Sequence, residues 1–178
     1  MTDPQDPLAQ APLLRVVHER HPDVDVVVLP PEAPAPEPAD VPVPVTDAAL
    51  DAERSRVEGV LAGLLTAAAA EPTPPPRAAW RSATASHVVP VAEARLPIDG
   101  PEAGVALGRA LSARLRADGW EGRLDRAGVT PLLLAGLDDR SVRVAWLDDA
   151  VLVTVRGRDL PVATATARAL VSGTEDDR

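Results

Sequence analysis

The chain contains no lysine, asparagine, phenylalanine, tyrosine or cysteine, one isoleucine (Ile98) and one methionine (Met1). Each absence removes a chemistry. Without cysteine there is no disulfide, thiolate metal site or thiol nucleophile. Without lysine there is no Schiff base, and without tyrosine no phenolic acid. All 18 basic residues are arginine, a side chain that stays charged and cannot serve as a base. The missing residue types have AT-leaning codons, whereas the abundant Ala, Gly, Pro and Arg have GC-leaning ones. That bias points to a GC-rich genome of the actinobacterial kind. His, Asp, Glu, Arg, Ser and Thr remain for catalysis, and no catalytic motif assembles them.

Aromatic side chains are confined to Trp80, Trp120 and Trp146. The core must therefore be built from Ala, Val and Leu, with each tryptophan able to bury roughly 150–250 Å². The formal charge is −9 over 178 residues, and it is uneven. Residues 1–50 carry nine acids and two arginines, whereas 51–100 and 101–178 each sum to −1. An acidic arm of this kind gives solubility. No basic stripe matches a phosphate backbone, so nucleic acid is not an expected partner. The first residues lack the basic and apolar regions of a secretory signal, and the uncharged run Gly59 to Ala70 is too short to span a bilayer. These features lead to the expectation of a cytoplasmic protein without membrane contact.

Proline divides the chain. Seven prolines lie between Pro30 and Pro44, and four between Glu71 and Arg77. Proline lacks the N–H and clashes with the preceding helical turn, so 30–45 and 71–77 read as linkers. The first, in polyproline II form, would reach on the order of 45 Å. Residues 1–29 read as a short helix and strand, with Leu13, Leu14, Val16 and Val17 before Pro22 and Val24 to Leu29 after it. One helix and one strand cannot fold alone, so Leu13, Leu14, Val17, Val26 and Val28 are expected to dock on a partner or fold back on the chain. Residues 46–70 predict an amphipathic helix capped by Thr46 or Asp47.

Residues 78–173 read as the folded domain, with 174–178 a disordered tail. Trp80 to Leu96 is extended, with a break expected near Pro90. Pro101 to Asp118 predicts a helix stopped by Gly119. Strands follow near 122–126, 130–137, 141–147 and 150–157, with Asp148-Asp149 as a tight hairpin connection. Pro161 to Val171 reads as a last helix. The expected fold is α+β: two layers, an antiparallel β-meander packed by helices on one face. This element order is similar in outline to small secretion-chaperone-like domains.

Several residue groups invite a functional reading. His21-Pro22-Asp23 is the tripeptide of J-domain co-chaperones, but a Val-rich strand and a proline spacer follow it here instead of a helix. It reads as a helix end and a turn. His18 and His21 lack a third fixed ligand for a metal. Asp138-Asp139 and Asp148-Asp149 lie about 30 Å apart along the intervening strand, so they read as turn acids. His87 stands in the only segment where Trp80, Arg81, Ser82, Thr84 and Ser86 cluster, although Ser86 and His87 on one strand would point to opposite faces. All three tryptophans read as core, and Trp80, beside a linker, is the best candidate for an exposed one. Trp80, Arg81, His87 and Arg143 are the candidate ligand or partner contacts. No catalytic residue, metal ligand or cofactor is assigned. The composite expectation is a non-enzymatic protein-interaction protein, an adaptor or chaperone-like molecule with a protein partner and a homodimer left open. The alternative is a small-molecule-binding domain or weakly marked enzyme centred on His87.

Overall fold

Apolar residues at helical spacing between 47 and 68 must bury one stripe, and they do so over a β-sheet. A computed structural model describes residues 43–125 and 130–173. Its first helix, α1, is Asp47–Ala68. Thr46 caps it, its Oγ1 accepting from the Ala49 N–H at 3.3 Å, which satisfies one of the orphan donors of the first turn. Ala69, in the left-handed region at φ 47°, ends it by donating to Leu65 and Thr66 carbonyls. Leu50, Glu53, Val57, Leu61 and Leu64 are its buried positions.

The remaining elements are β1 (Arg77–Thr84), β2 (His87–Pro97), α2 (Pro101–Ala117), β3 (Glu121–Asp125), β4 (Leu132–Leu137), β5 (Arg140–Trp146), β6 (Ala150–Arg156), β7 (Leu160–Pro161) and α3 (Thr164–Gly173). The sheet order is β1-β2-β6-β5-β4-β3, with β7 pairing β2, and every pairing is antiparallel. The result is an α+β domain: an open antiparallel meander packed against three helices. No described helix is long and apolar enough to cross a membrane.

Directly paired residues share a sheet face, so the register assigns the faces. Ala92, Val155, Val142 and Ala135 form one row of the covered face, and Ala94, Val153, Val144 and Leu133 the next. Val57, Leu61 and Leu64 of α1 and Leu111 and Leu115 of α2 close over these rows in one core. A second cluster joins Leu50, Trp80, Val88, Leu160, Val162 and Ala167, bringing α3 onto the same face. The other face carries Arg123, Leu134, Arg143, Thr154, Glu93 and Arg77 as a row across the six strands. The amphipathic helix expected at 46–70 is thus integral to the core of the α+β domain.

Two local expectations are corrected. The break expected near Pro90 lies instead at the Ala85-Ser86 turn, and Pro90 sits inside β2 opposite Trp80. Its carbonyl accepts from Gly157 N–H at 2.9 Å. The missing proline N–H is therefore turned to the same side, past the end of β6, where the ladder needs no donor. The last helix starts at Thr164, not Pro161, because the preceding backbone is held extended. Val45 N–H donates to the Pro161 carbonyl and Val162 N–H to the Ser86 carbonyl, each at 2.9 Å. The tight connection at Asp148-Asp149 is as expected, closed by Leu147 N–H donating to the Ala150 carbonyl at 2.8 Å.

A buried ion pair joins α1 to the sheet. Arg140 Nε donates to Glu53 Oε1 at 2.7 Å and Nη2 to Oε2 at 2.6 Å; Glu53 is 4% exposed and Arg140 6%. The Arg158 backbone N–H adds a third bond to Oε1 at 3.1 Å. Burial by itself would raise the carboxyl pKa, but the hydrogen bonds from Arg140 and Arg158 and their positive charges outweigh it, holding Glu53 below its usual 4.5. A depressed carboxylate contributes stability above its unfolded pKa and loses it as pH falls through the folded value. Glu53→Gln is therefore expected to flatten the loss of stability on acidification. Urea midpoints between about pH 7 and about pH 3 measure this. Parallel curves for variant and wild type would show that Glu53 is not the titrating group.

Candidate functional site

The candidate residues chosen from sequence do not converge. Trp80 is 5% exposed, so it belongs to the core, as expected of the tryptophans, and not to an exposed aromatic surface: β7 and α3 bring Leu160, Val162 and Ala167 against it. Trp80 and Arg81 line a groove of about 950 Å³ between α1, β1 and α3, whose α1 wall carries the ion pair of Arg54 with Glu58 at 3.0 Å. His87 begins β2 beside the hairpin turn. Ser86 lies in that turn, off the strand, so its Oγ reaches His87 Nδ1 at 3.3 Å, and Thr84 Oγ1 reaches the same nitrogen at 3.0 Å. The adjacent-residue argument against a Ser86–His87 contact therefore fails, because a turn does not impose the alternation of a strand. Both hydroxyls address Nδ1, and His87 lines neither of the grooves described here. Arg143 is exposed on the sheet face opposite Trp80.

Leu13, Leu14, Val17, Val26 and Val28, together with His18, His21 and the 1–29 helix-strand segment, lie outside the described residues, as does the first linker up to residue 42. Among the described residues no group of three or more His, Asp or Glu could hold a metal ion. Asp138-Asp139 and Asp148-Asp149 cap opposite ends of β5.

A site that sequence reasoning missed lies where the helical layer stops short of the sheet edge. Along the row Ala94–Val153–Val144–Leu133–Leu124, relative exposures are 3%, 0%, 0%, 7% and 50%. Leu124 faces the covered side like its four neighbours, yet half of it meets solvent. Val105, on α2, is 50% exposed, and Leu147, in the β5–β6 turn, is 39% exposed. These three line one groove of about 1010 Å³ with Ile98, Leu133 and Trp146. They are three of the four large hydrophobic residues exposed among the described ones.

Glycine spacing builds the groove wall. Gly104 and Gly108 turn one face of α2 onto Trp146, whose Nε1 donates to the Gly104 carbonyl at 2.9 Å. A Cβ at Gly108 would overlap Trp146 Cζ2 and stand 3.1 Å from Cε2. The Nε1 edge of the indole thus packs directly onto the glycine face of α2. Arg109, Ser112 and Arg116 continue the α2 wall, and Asp148 and Asp149 stand at its other end. Asp149 is paired with Arg95 at 2.6 Å, and Arg116 donates to Ser112 Oγ at 3.1 Å.

The groove offers an apolar floor, a cationic wall and an adjacent sheet edge. Patches of this composition on a folded domain expose apolar surface that a covering group can remove from water. A signal for it exists in the sequence: Val105, Arg109, Ser112 and Arg116 recur at helical spacing, and a Val on that stripe with no apolar partner at 109, 112 or 116 marks a face that does not enter the domain core. No known protein family, curated protein or solved structure matches the chain.

Proposed function

We propose that this chain is a non-enzymatic protein-interaction domain, an adaptor or chaperone-like protein, whose partner covers the groove between α2 and β3. The single observation that supports it most is the jump in exposure from 7% at Leu133 to 50% at Leu124 within one row of the covered sheet face. A core row that ends in solvent lacks its covering layer. Covering a leucine side chain is worth roughly 1.5–3 kcal/mol, and Val105 and Leu147 add to the same patch. The small-molecule alternative centred on His87 has less behind it, since that ring sits outside both grooves with Nδ1 engaged by Thr84 and Ser86. The acidic N-terminal arm, through Leu13, Leu14, Val17, Val26 and Val28, is proposed as a second contact on sequence grounds alone.

The test is a capture from host lysate with the full chain and with Leu124→Asp. Leu124 is half exposed at the sheet edge, so the variant should stay folded with a loss of about 1–1.5 kcal/mol at most, half the value of burying a leucine. Proteins bound by the wild type should be depleted about tenfold or more on the variant, as expected when a charge enters an apolar contact. Equal capture by both would remove the groove from the functional account.

A further inference from the structure

Resting on that reading, we infer that the occupant of the groove is an amphipathic helix of a partner protein with an acidic flank, lying alongside α2. Three observations carry this. The groove follows α2 over much of its length: its lining runs from Pro101 through Gly104, Val105, Gly108, Arg109 and Ser112 to Arg116. From Val105 to Arg116 is about 16 Å of helix, a wall formed by side chains and not by an open backbone ladder. The apolar part of the α2 wall is at its N-terminal half, where Val105 lines the same groove as the exposed Leu124 and Leu147. A helix packs against a neighbour at about 8–10 Å between axes through such a stripe.

The third observation is charge. Arg109 and Arg116 lie two turns apart on the groove side of α2, about 10 Å along its axis. Neither forms an ion pair with a described residue, whereas Arg114, one turn round the same helix, is paired with Asp118 at 2.7 Å. Two unpaired guanidinium groups at a two-turn repeat beside an apolar strip match carboxylates at the same repeat on a facing helix. The chain as a whole is at −9, so a cationic wall here is a local feature and not the spill-over of a basic protein. Nucleic acid fits the groove less well: its lining is largely apolar and carries Asp148 and Asp149 beside the two arginines, which a phosphate backbone would meet as like charge.

The experiment uses the full chain and fluorescein-labelled peptides of about fifteen residues, stapled to hold a helix. One carries a Leu stripe with Glu at i and i+7 on its flank. A second replaces those Glu with Lys, and a third keeps the Glu flank and exchanges the Leu stripe for Ser. Anisotropy titrations should show the Glu peptide binding at least about tenfold more tightly than either control. Arg109→Glu with Arg116→Glu should weaken it about tenfold or more and reverse the preference towards the Lys peptide. Leu124→Asp should weaken it by a similar factor. Equal binding of the Glu and Lys peptides, or no effect of the double charge reversal, overturns the acidic-helix assignment. So does a concentration-dependent dimer of the full chain that Leu124→Asp disperses, because a second copy would then be the occupant. If no peptide binds yet lysate capture still depends on Leu124, the helix is wrong and the interaction function stands. If lysate capture is also independent of Leu124, both fall.

Discussion

Arg140→Ala is expected to lower the free energy of unfolding by about 3 kcal/mol, the low end of the range for breaking a buried ion pair from one side. The reason is what remains. Glu53 is buried, and its carboxylate would lose both short bonds, at 2.6 and 2.7 Å, that offset its desolvation. It would keep the Arg158 backbone N–H at 3.1 Å and the more distant Arg158 guanidinium at 3.6 Å, which is why the low end applies. Asp138, at 3.6 Å from Arg140, is exposed and its loss of a partner costs little. Urea denaturation would read the change as a lower midpoint at unchanged slope. The double replacement Glu53→Leu with Arg140→Met removes both charges. It should recover most of the loss, since apolar residues often replace a buried pair without penalty. A single variant costing under about 1 kcal/mol would mean that water already reaches the pair. The pair ties residue 53 on α1 to the β4–β5 turn, 87 positions away in sequence, so it also fixes how α1 crosses the sheet.

Gly108→Ala and Gly59→Ala should have opposite signs, although the chemical change is the same. Alanine favours a helix interior over glycine by about 0.5–1 kcal/mol. At Gly59 an added Cβ meets nothing within 4 Å, so stabilisation by about that amount is expected. At Gly108 the new carbon would overlap the Trp146 ring, with Cε2 at 3.1 Å and Cη2 at 3.4 Å. The ring cannot slide freely, because its Nε1 is bonded to the Gly104 carbonyl one turn earlier. Overpacking costs about 1–3 kcal/mol. With the steric overlap placing Gly108→Ala near the top of that range, a net loss of about 2 kcal/mol is expected after the helix-propensity gain. Thermal melts of the two variants give the signs directly. Because Trp146 is also in the groove floor, Gly108→Ala should shift tryptophan emission and weaken groove binding, whereas Gly59→Ala should do neither. Stabilisation of both variants would mean that α2 can move away from β5 at little cost.

The helices and strands legible from the sequence are those whose signals are local. Thr46-Asp47 followed by Leu50, Val57, Leu61 and Leu64 specified α1 and narrowed its cap to two residues, and Pro101 with Gly119 bracketed α2. The alternation of Val142, Val144, Trp146 and Val151, Val153, Val155 specified β5, β6 and the turn between them. The α+β class followed from that order. Glu53 was legible in part: it occupies the apolar stripe of α1 at 50, 53, 57, 61, and a charge in that stripe requires a buried partner. Which arginine would answer was not legible, since spacing along the chain says nothing about contacts 87 residues apart.

The tertiary structure decided the rest, for one physical reason: burial and pairing depend on what packs from elsewhere. Pro90 reads as a strand breaker until β6 ends beside it. Whether Trp80, beside a linker, is covered stays open until β7 and α3 close over it. Trp80, Arg81, His87 and Arg143 read as one polar site until strand order puts them in a groove, at a strand start beside a turn, and on the opposite face. Leu124 sits between Arg123 and Asp125 in an alternating strand, a pattern that gives its face but not how far the cover over that face extends. Only the limit of the helical layer, which ends before the sheet does, turns it into the edge of an open groove.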